Sequence, residues 1–131
     1  MTDDAHPLER EVTVLAVDDQ ESFRGTLREL VAAAEGFVLV GEASTGDEAI
    51  HAADDLEPAL VLMDVHLPGM DGISASRAIL SRHPQTVLVL ISVDDPGREP
   101  GVGLLGEAVS SVCKQDLCPR TLREVWETAR D

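Results

Sequence analysis

Five short apolar runs, separated by segments of helical spacing, constrain the fold of this chain more than any other feature. They are VTVLAV (12–17), FVLVGEA (37–43), ALVLMDV (59–65), TVLVLISV (86–93) and VSSVC (109–113). The first, third and fourth are nearly unbroken Val, Leu and Ile, as parallel strands covered on both faces require. The second is more mixed and suits a place nearer a sheet edge.

Helical patterns lie between the runs. SFRGTLRELVAAAEG places Phe23, Leu27, Leu30 and Val31 on one face, and Gly36 follows as a C-terminal stop. TGDEAIHAADDL opens on Thr45 with Glu48 three residues on, the spacing of a capping box. GISASRAILSRHP carries Ile73, Ala78, Ile79 and Leu80, and ends at Pro84. PRTLREVWETAR has Pro119 in its first turn and Leu122, Val125 and Trp126 facing inward. Residues 94–108, DDPGREPGVGLLGEA, break the rhythm with two prolines and four glycines. Gly and Pro disfavour a helix interior by about 1 and 3 kcal/mol per residue. A loop with at most a short helix near Val102–Ala108 is expected there. Strand and helix in alternation predict one α/β domain built on a doubly wound, five-stranded parallel sheet. Right-handed crossovers then place ligands at the carboxyl ends of the strands.

Those ends carry the polar residues. The first run ends in Asp18 and Asp19, the third in Asp64, the fourth in Ser92 followed by Asp94 and Asp95, and the fifth in Lys114. Each has an ordinary reading when taken singly. Asp18 can cap a helix, Lys114 can be a solvated charge, and Ser92, Asp71, Asp94 and Asp95 can be turn or capping residues. At four ends of one sheet, three carboxylates, a hydroxyl and an ammonium read as a site. Clustered carboxylates repel one another unless a cation neutralises them. Hard oxygen ligands suit Mg²⁺. With such a cation bound, one aspartate can act as a nucleophile toward phosphorus, a reaction that needs mainly positioning and charge neutralisation.

Composition excludes several classes. The 131 residues suffice for one domain with a real core. A formal net charge of -15 repels a phosphate backbone and anionic lipid, which argues against direct nucleic-acid binding and against a membrane surface. No apolar run reaches the length of a membrane span. MTDDAHPLER reads as a flexible acidic lead-in over residues 1–10 and not as a signal peptide. A cytoplasmic location is expected, with Cys113 and Cys118 reduced and structural. No pair among His6, His51, His66 and His83 has metal-ligand spacing.

The ordered set VDD, MDVHLPGMDG, IS and CK at successive strand ends resembles the receiver domain of bacterial two-component response regulators, over about residues 11–130. The resemblance implies a flavodoxin-like (βα)5 sheet with strand order 2-1-3-4-5. It implies Asp64 as phosphoacceptor. Mg²⁺ would be held by Asp18, Asp19, Asp64 and the backbone carbonyl of His66. Lys114 would contact the phosphoryl group, and Ser92 would be the switch hydroxyl. It further implies a sensor histidine kinase or small phosphodonor as partner, with loading and hydrolysis catalysed by the domain itself.

Three departures from the family pattern stand out. Ser111 occupies the place of the usual aromatic switch residue, the helix before the fifth strand is short or irregular, and Gln115 replaces the proline after the lysine. A cis bond at a non-proline residue would cost about 2.5–4 kcal/mol. The complete acidic triad with Lys114 favours a phosphorylatable receiver, while the missing aromatic and the helix-breaking residues favour an alternative, an atypical receiver that acts as a phosphate-independent interaction module. A third class, a phosphatase with an aspartyl intermediate, lacks any segment for a substrate pocket or cap. The last helix finishes near Asp131 with no helix-turn-helix after it. Output is therefore expected through a partner, a homodimer or an attached DNA-binding domain beyond this chain, with transcription regulation as one readout.

Overall fold

The computed structural model describes residues 11–94, 101–106 and 109–130. The acidic lead-in and Asp95 lie outside the described residues. The strands are β1 (Val12–Val17), β2 (Phe37–Ala43), β3 (Leu60–Asp64), β4 (Val87–Ser92) and β5 (Ser110–Cys113). All pair in parallel, in the order β2-β1-β3-β4-β5. The mixed second run is thus an edge strand, and its register with β1 slips between Val14 and Leu15.

Four α-helices complete the domain: α1 (Glu21–Ala33), α2 (Gly46–Leu56), α3 (Gly72–Arg82) and α4 (Pro119–Arg130). Successive strand residues face opposite sides of a sheet, and two apolar cores result. Val14, Ala16, Leu60, Leu62, Val89, Ile91 and Val112 pack with Leu27, Leu30 and Val31 of α1 and Leu122 of α4. Leu15, Val17, Val61, Met63, Leu88 and Leu90 pack with Ala49 and Ala53 of α2 and Ile73, Ala75 and Ile79 of α3. Each fully buried Leu, Ile or Val contributes about 1.5–3 kcal/mol relative to exposure, so β1, β3 and β4 anchor the sheet.

Local signals hold with three adjustments. Thr45 caps α2 by accepting from the Glu48 N–H at 3.1 Å, but the Glu48 carboxylate turns to the Ser44 N–H and hydroxyl, at 2.8 and 2.9 Å. The capping box is therefore opened by one residue. On α3, Ala75 and Ser76 are buried while Ala78 and Leu80 are only half-buried. The contact stripe there combines Ile73 and Ile79 with the small residues Gly72, Ala75 and Ser76. Helix α1 ends at an extended Ala34, and Gly36, with φ of 89°, makes the turn into β2.

Between β4 and β5 the described residues hold a single 3-10 turn, Val102–Leu105. This matches the expectation of a short helix among glycines and prolines. All described peptide bonds are trans, including those flanking Gln115. No helix among the described residues is long and apolar enough to cross a membrane.

Candidate functional site

The site forms where β1, β3 and β5 end. Asp64 is the last residue of β3, Asp18 follows β1, and Lys114 follows β5 at the start of a 3-10 turn, Lys114–Asp116. All three continue the strand rows that face α1 and α4, those of Ala16, Leu62 and Val112. That shared parity brings them together. The Lys114 Nζ donates to Asp18 Oδ2 at 2.7 Å and lies 3.6 Å from Asp64 Oδ2. Asp18 is fully buried and Asp64 nearly so. Asp19 is exposed, yet one carboxylate oxygen from each of Asp18, Asp19 and Asp64 falls within 4.8 Å of the others. Among the described residues this is the one group of three possible metal ligands.

Backbone amides fix the carboxylates. Asp18 Oδ1 accepts from the Gln20 N–H at 2.9 Å, and Asp64 Oδ1 accepts from the His66 N–H at 3.1 Å. Arg24, one turn into α1, donates to the Asp18 carbonyl at 2.7 Å and ties the loop to the helix. The phenyl face of Phe23 lies 4.3 Å from Lys114 Nζ. Below the site, Gly72 donates its N–H to the Val65 carbonyl at 3.0 Å. A Cβ on Gly72 would overlap the Asp64 carbonyl oxygen. Gly69 makes the preceding turn with φ of 75°.

Burial pushes the Asp64 carboxyl up to about 6, and the nearby Asp18 adds to this, against the His66 N–H and the Lys114 ammonium. Ionising a buried carboxylate beside another is unfavourable unless positive charge is near. The donor set fits a hard divalent cation: three carboxylates, one of them exposed to water, with no sulfur or imidazole among them. The consequence for stability follows from linkage. An Asp64 proton is held more tightly in the folded state than in the unfolded one. Folding stability therefore declines as pH rises between about 4, where an unfolded aspartate titrates, and about 6. Asp64→Asn removes that dependence. It should stabilise the metal-free protein at pH 7.5 by roughly 1–3 kcal/mol, with the gain vanishing below pH 4, in urea titrations run at both pH values.

Ser92 also ends at this edge and is buried, at the end of β4 and paired with Cys113. It continues the row of Leu88 and Leu90, which faces α2 and α3. Ser111 lies away from the carboxylates. It is exposed on β5 and lines a shallow groove of about 360 Å³ with Ser110, Glu124, Val125 and Thr128. Asp71 is a cap, accepting from the Ser74 N–H at 2.8 Å. Asp94 lies in a bend after β4, and its carbonyl accepts from Cys113 Sγ at 3.8 Å. Cys113 and Cys118 form no disulfide, and neither joins the carboxylate group. His83 sits just past α3 and pairs with Asp54 at 2.8 Å.

Arg24, Phe23 and the amides of Gln20 and His66 are absent from a reading of strand ends. Arg24 and Phe23 are legible only as the first turn of α1 passing over Asp18.

A five-stranded parallel sheet in this order, with an aspartate triad and a lysine at its carboxyl edge, defines the receiver class of α/β domain. The family model for the response regulator receiver domain matches residues 14–115, and the chain belongs to that family. The chain is 38% identical over 87 residues to the response regulator GacA of Pseudomonas viridiflava, a match covering 65% of this chain and 41% of that protein. It is 32% identical over 114 residues to a protein-glutamate methylesterase/protein-glutamine glutaminase of Alkalilimnicola ehrlichii, covering 87% and 28%. The chain thus spans less than half the length of these relatives. Among solved structures, a LuxR-family two-component response regulator from Aurantimonas sp. SI85-9A1 superposes with a TM-score of 0.78 at 26% identity, covering 90% of this chain and 84% of that one. The response regulator domain of Thermotoga maritima CheB gives 0.79 at 23% identity, covering 93% and 98%, a likeness of fold.

Proposed function

We propose that residues 11–131 form a receiver that accepts a phosphoryl group on Asp64 in a Mg²⁺-dependent phosphorelay and signals by a conformational change. The observation that carries this reading is the Lys114 ammonium poised 2.7 Å from Asp18 and 3.6 Å from Asp64.

Asp18, Asp19, Asp64 and the His66 carbonyl would hold the Mg²⁺, with Asp19 the most open to water. Bound there, the ion supplies charge neutralisation for the equatorial phosphoryl oxygens. Asp64, ionised above about pH 6, attacks phosphorus with one carboxylate oxygen. The bond from phosphorus to the donor breaks, and the donor leaves with that electron pair. The donor is the phosphohistidine of a sensor kinase or a small acyl phosphate. Lys114 transfers from Asp18 and Asp64 to a phosphoryl oxygen and holds the added charge. Water later attacks phosphorus, which returns the carboxylate and releases inorganic phosphate.

Ser92 is the hydroxyl proposed to turn toward the phosphoryl group. Ser111 stands where a ring would follow that movement, so the readout passes through other contacts. The output is a partner, a homodimer or a domain attached to this one, in the cytoplasm.

The test is intact mass after incubation with Mg²⁺ and acetyl phosphate, beside Asp64→Asn. One added phosphoryl group in the parent, absent from the variant and from a sample with the metal chelated, is the expected result. No addition to a parent that demonstrably binds Mg²⁺ would overturn the reading in favour of a phosphate-independent interaction module.

A further inference from the structure

The lysine that meets the carboxylates also meets a ring. Lys114 Nζ lies 4.3 Å from the Phe23 centroid, well inside the range of about 6 Å over which an aromatic face attracts an ammonium. The lysine side chain is only 14% exposed, so water screens this attraction weakly. The chain has three aromatic residues, two Phe and one Trp. Phe37 opens β2 at the opposite end of the sheet and faces Arg123, and Trp126 lines a cavity beside Pro58 and His83. Phe23 is therefore the ring at the site, while Ser111 on β5 is exposed and brings none.

Phe23 is itself well anchored. It packs against the core shared by α1, α4 and the sheet. Its N–H bonds the Gln20 carbonyl at 3.1 Å, and Arg24 beside it grips the Asp18 carbonyl. Ring, helix start and Asp18 loop are thus tied into one hydrogen-bonded unit. Lys114 ends a flexible four-carbon stem, which alone would leave its ammonium many positions.

We propose that Phe23 is a positioning residue for Lys114: its ring face holds the ammonium against Asp18 and within reach of Asp64. The proposal rests on the phosphoacceptor reading above. Leucine at this position keeps the apolar packing and loses the negative ring face. Tyrosine keeps both, with its hydroxyl reaching water from a half-buried site.

The experiment compares the parent, Phe23→Leu and Phe23→Tyr in two ways. The Lys114 Hε protons, assigned by NMR without metal, should be shifted upfield by the ring in the parent and in Phe23→Tyr, and return toward free-lysine values in Phe23→Leu. Acetyl phosphate labelling with Mg²⁺ should slow by about three- to tenfold in Phe23→Leu and recover in Phe23→Tyr. Unshifted parent protons, a leucine variant labelled at the parental rate, or a tyrosine variant as slow as leucine would each overturn the proposal. A parent that takes no label overturns the phosphoacceptor reading and this proposal with it, an outcome distinguished by the parent alone.

Discussion

Gly72→Ala should destabilise the domain by about 3 kcal/mol or more, while Gly69→Ala, three residues earlier, should cost about 1–2 kcal/mol. The two glycines serve different ends. Gly69 has φ of 75° and nothing within 4 Å of the place a Cβ would occupy, so an alanine there bears only the backbone cost. Gly72 has no positive φ but no space either. Its missing Cβ would overlap the Asp64 carbonyl oxygen and approach Val65 Cα to 2.8 Å. Both obstacles are backbone atoms of the central strand end, which no rotamer change can clear. Moving them breaks the Gly72 N–H bond to Val65 and lifts α3 from the sheet. The shift reaches Asp64 directly, so phosphorylation should fall even in the fraction that folds. Urea unfolding of both variants, followed by circular dichroism, separates a crowding cost from a conformational one. Equal and small losses at the two positions would refute the close approach.

Lys114→Ala should be the second large effect, and its size should depend on metal. Lys114 lies 2.7 Å from an Asp18 with no exposed surface and 3.6 Å from Asp64. Removing one member of a buried ion pair leaves its partner charged and desolvated, which costs several kcal/mol. At pH 7.5 in chelator a loss of about 2–4 kcal/mol is expected. Asp18 and Asp64 then lose the Lys114 ammonium, and the Asp64 carboxyl should rise further. A divalent ion answers the same need, so saturating Mg²⁺ should restore most of the lost stability and raise the melting temperature of the variant more than that of the parent. Acetyl phosphate labelling should stay slow even with Mg²⁺ present, because stability can be returned by any nearby cation but the phosphoryl contact cannot. Thermal melts with and without Mg²⁺ check the first statement, and intact mass checks the second.

Much of the architecture was legible in the chain. Nearly unbroken apolar runs over 12–17, 59–65 and 86–93 announced strands covered on both faces, and these became β1, β3 and β4 at the centre of the sheet. The mixed run at 37–43 became an edge. Pro and Gly over 94–108 foretold a broken helix, and a 3-10 turn at Val102–Leu105 stands there. Side-chain detail was less legible. On α3, Ile73 and Ile79 are buried as their spacing predicts, but Ala75 and Ser76 complete the stripe where Ala78 and Leu80 were expected. Glu48 found the Ser44 hydroxyl within reach and left the capping-box geometry.

The division has one physical cause. Strand period, helix period and turn chemistry are local, acting over a few residues, and the sequence alone therefore determined the parallel sheet and the place of Asp18, Asp64 and Lys114 at strand ends. Side-chain encounters across layers depend on how helices seat on the sheet. Only the tertiary structure decided that Lys114 bonds Asp18, 96 residues away, more closely than Asp64. It alone brought the Phe23 ring to that ammonium and pressed Gly72 against the Asp64 carbonyl. Burial at that junction raises the Asp64 carboxyl, because the charge must form where water has been displaced by packed chain.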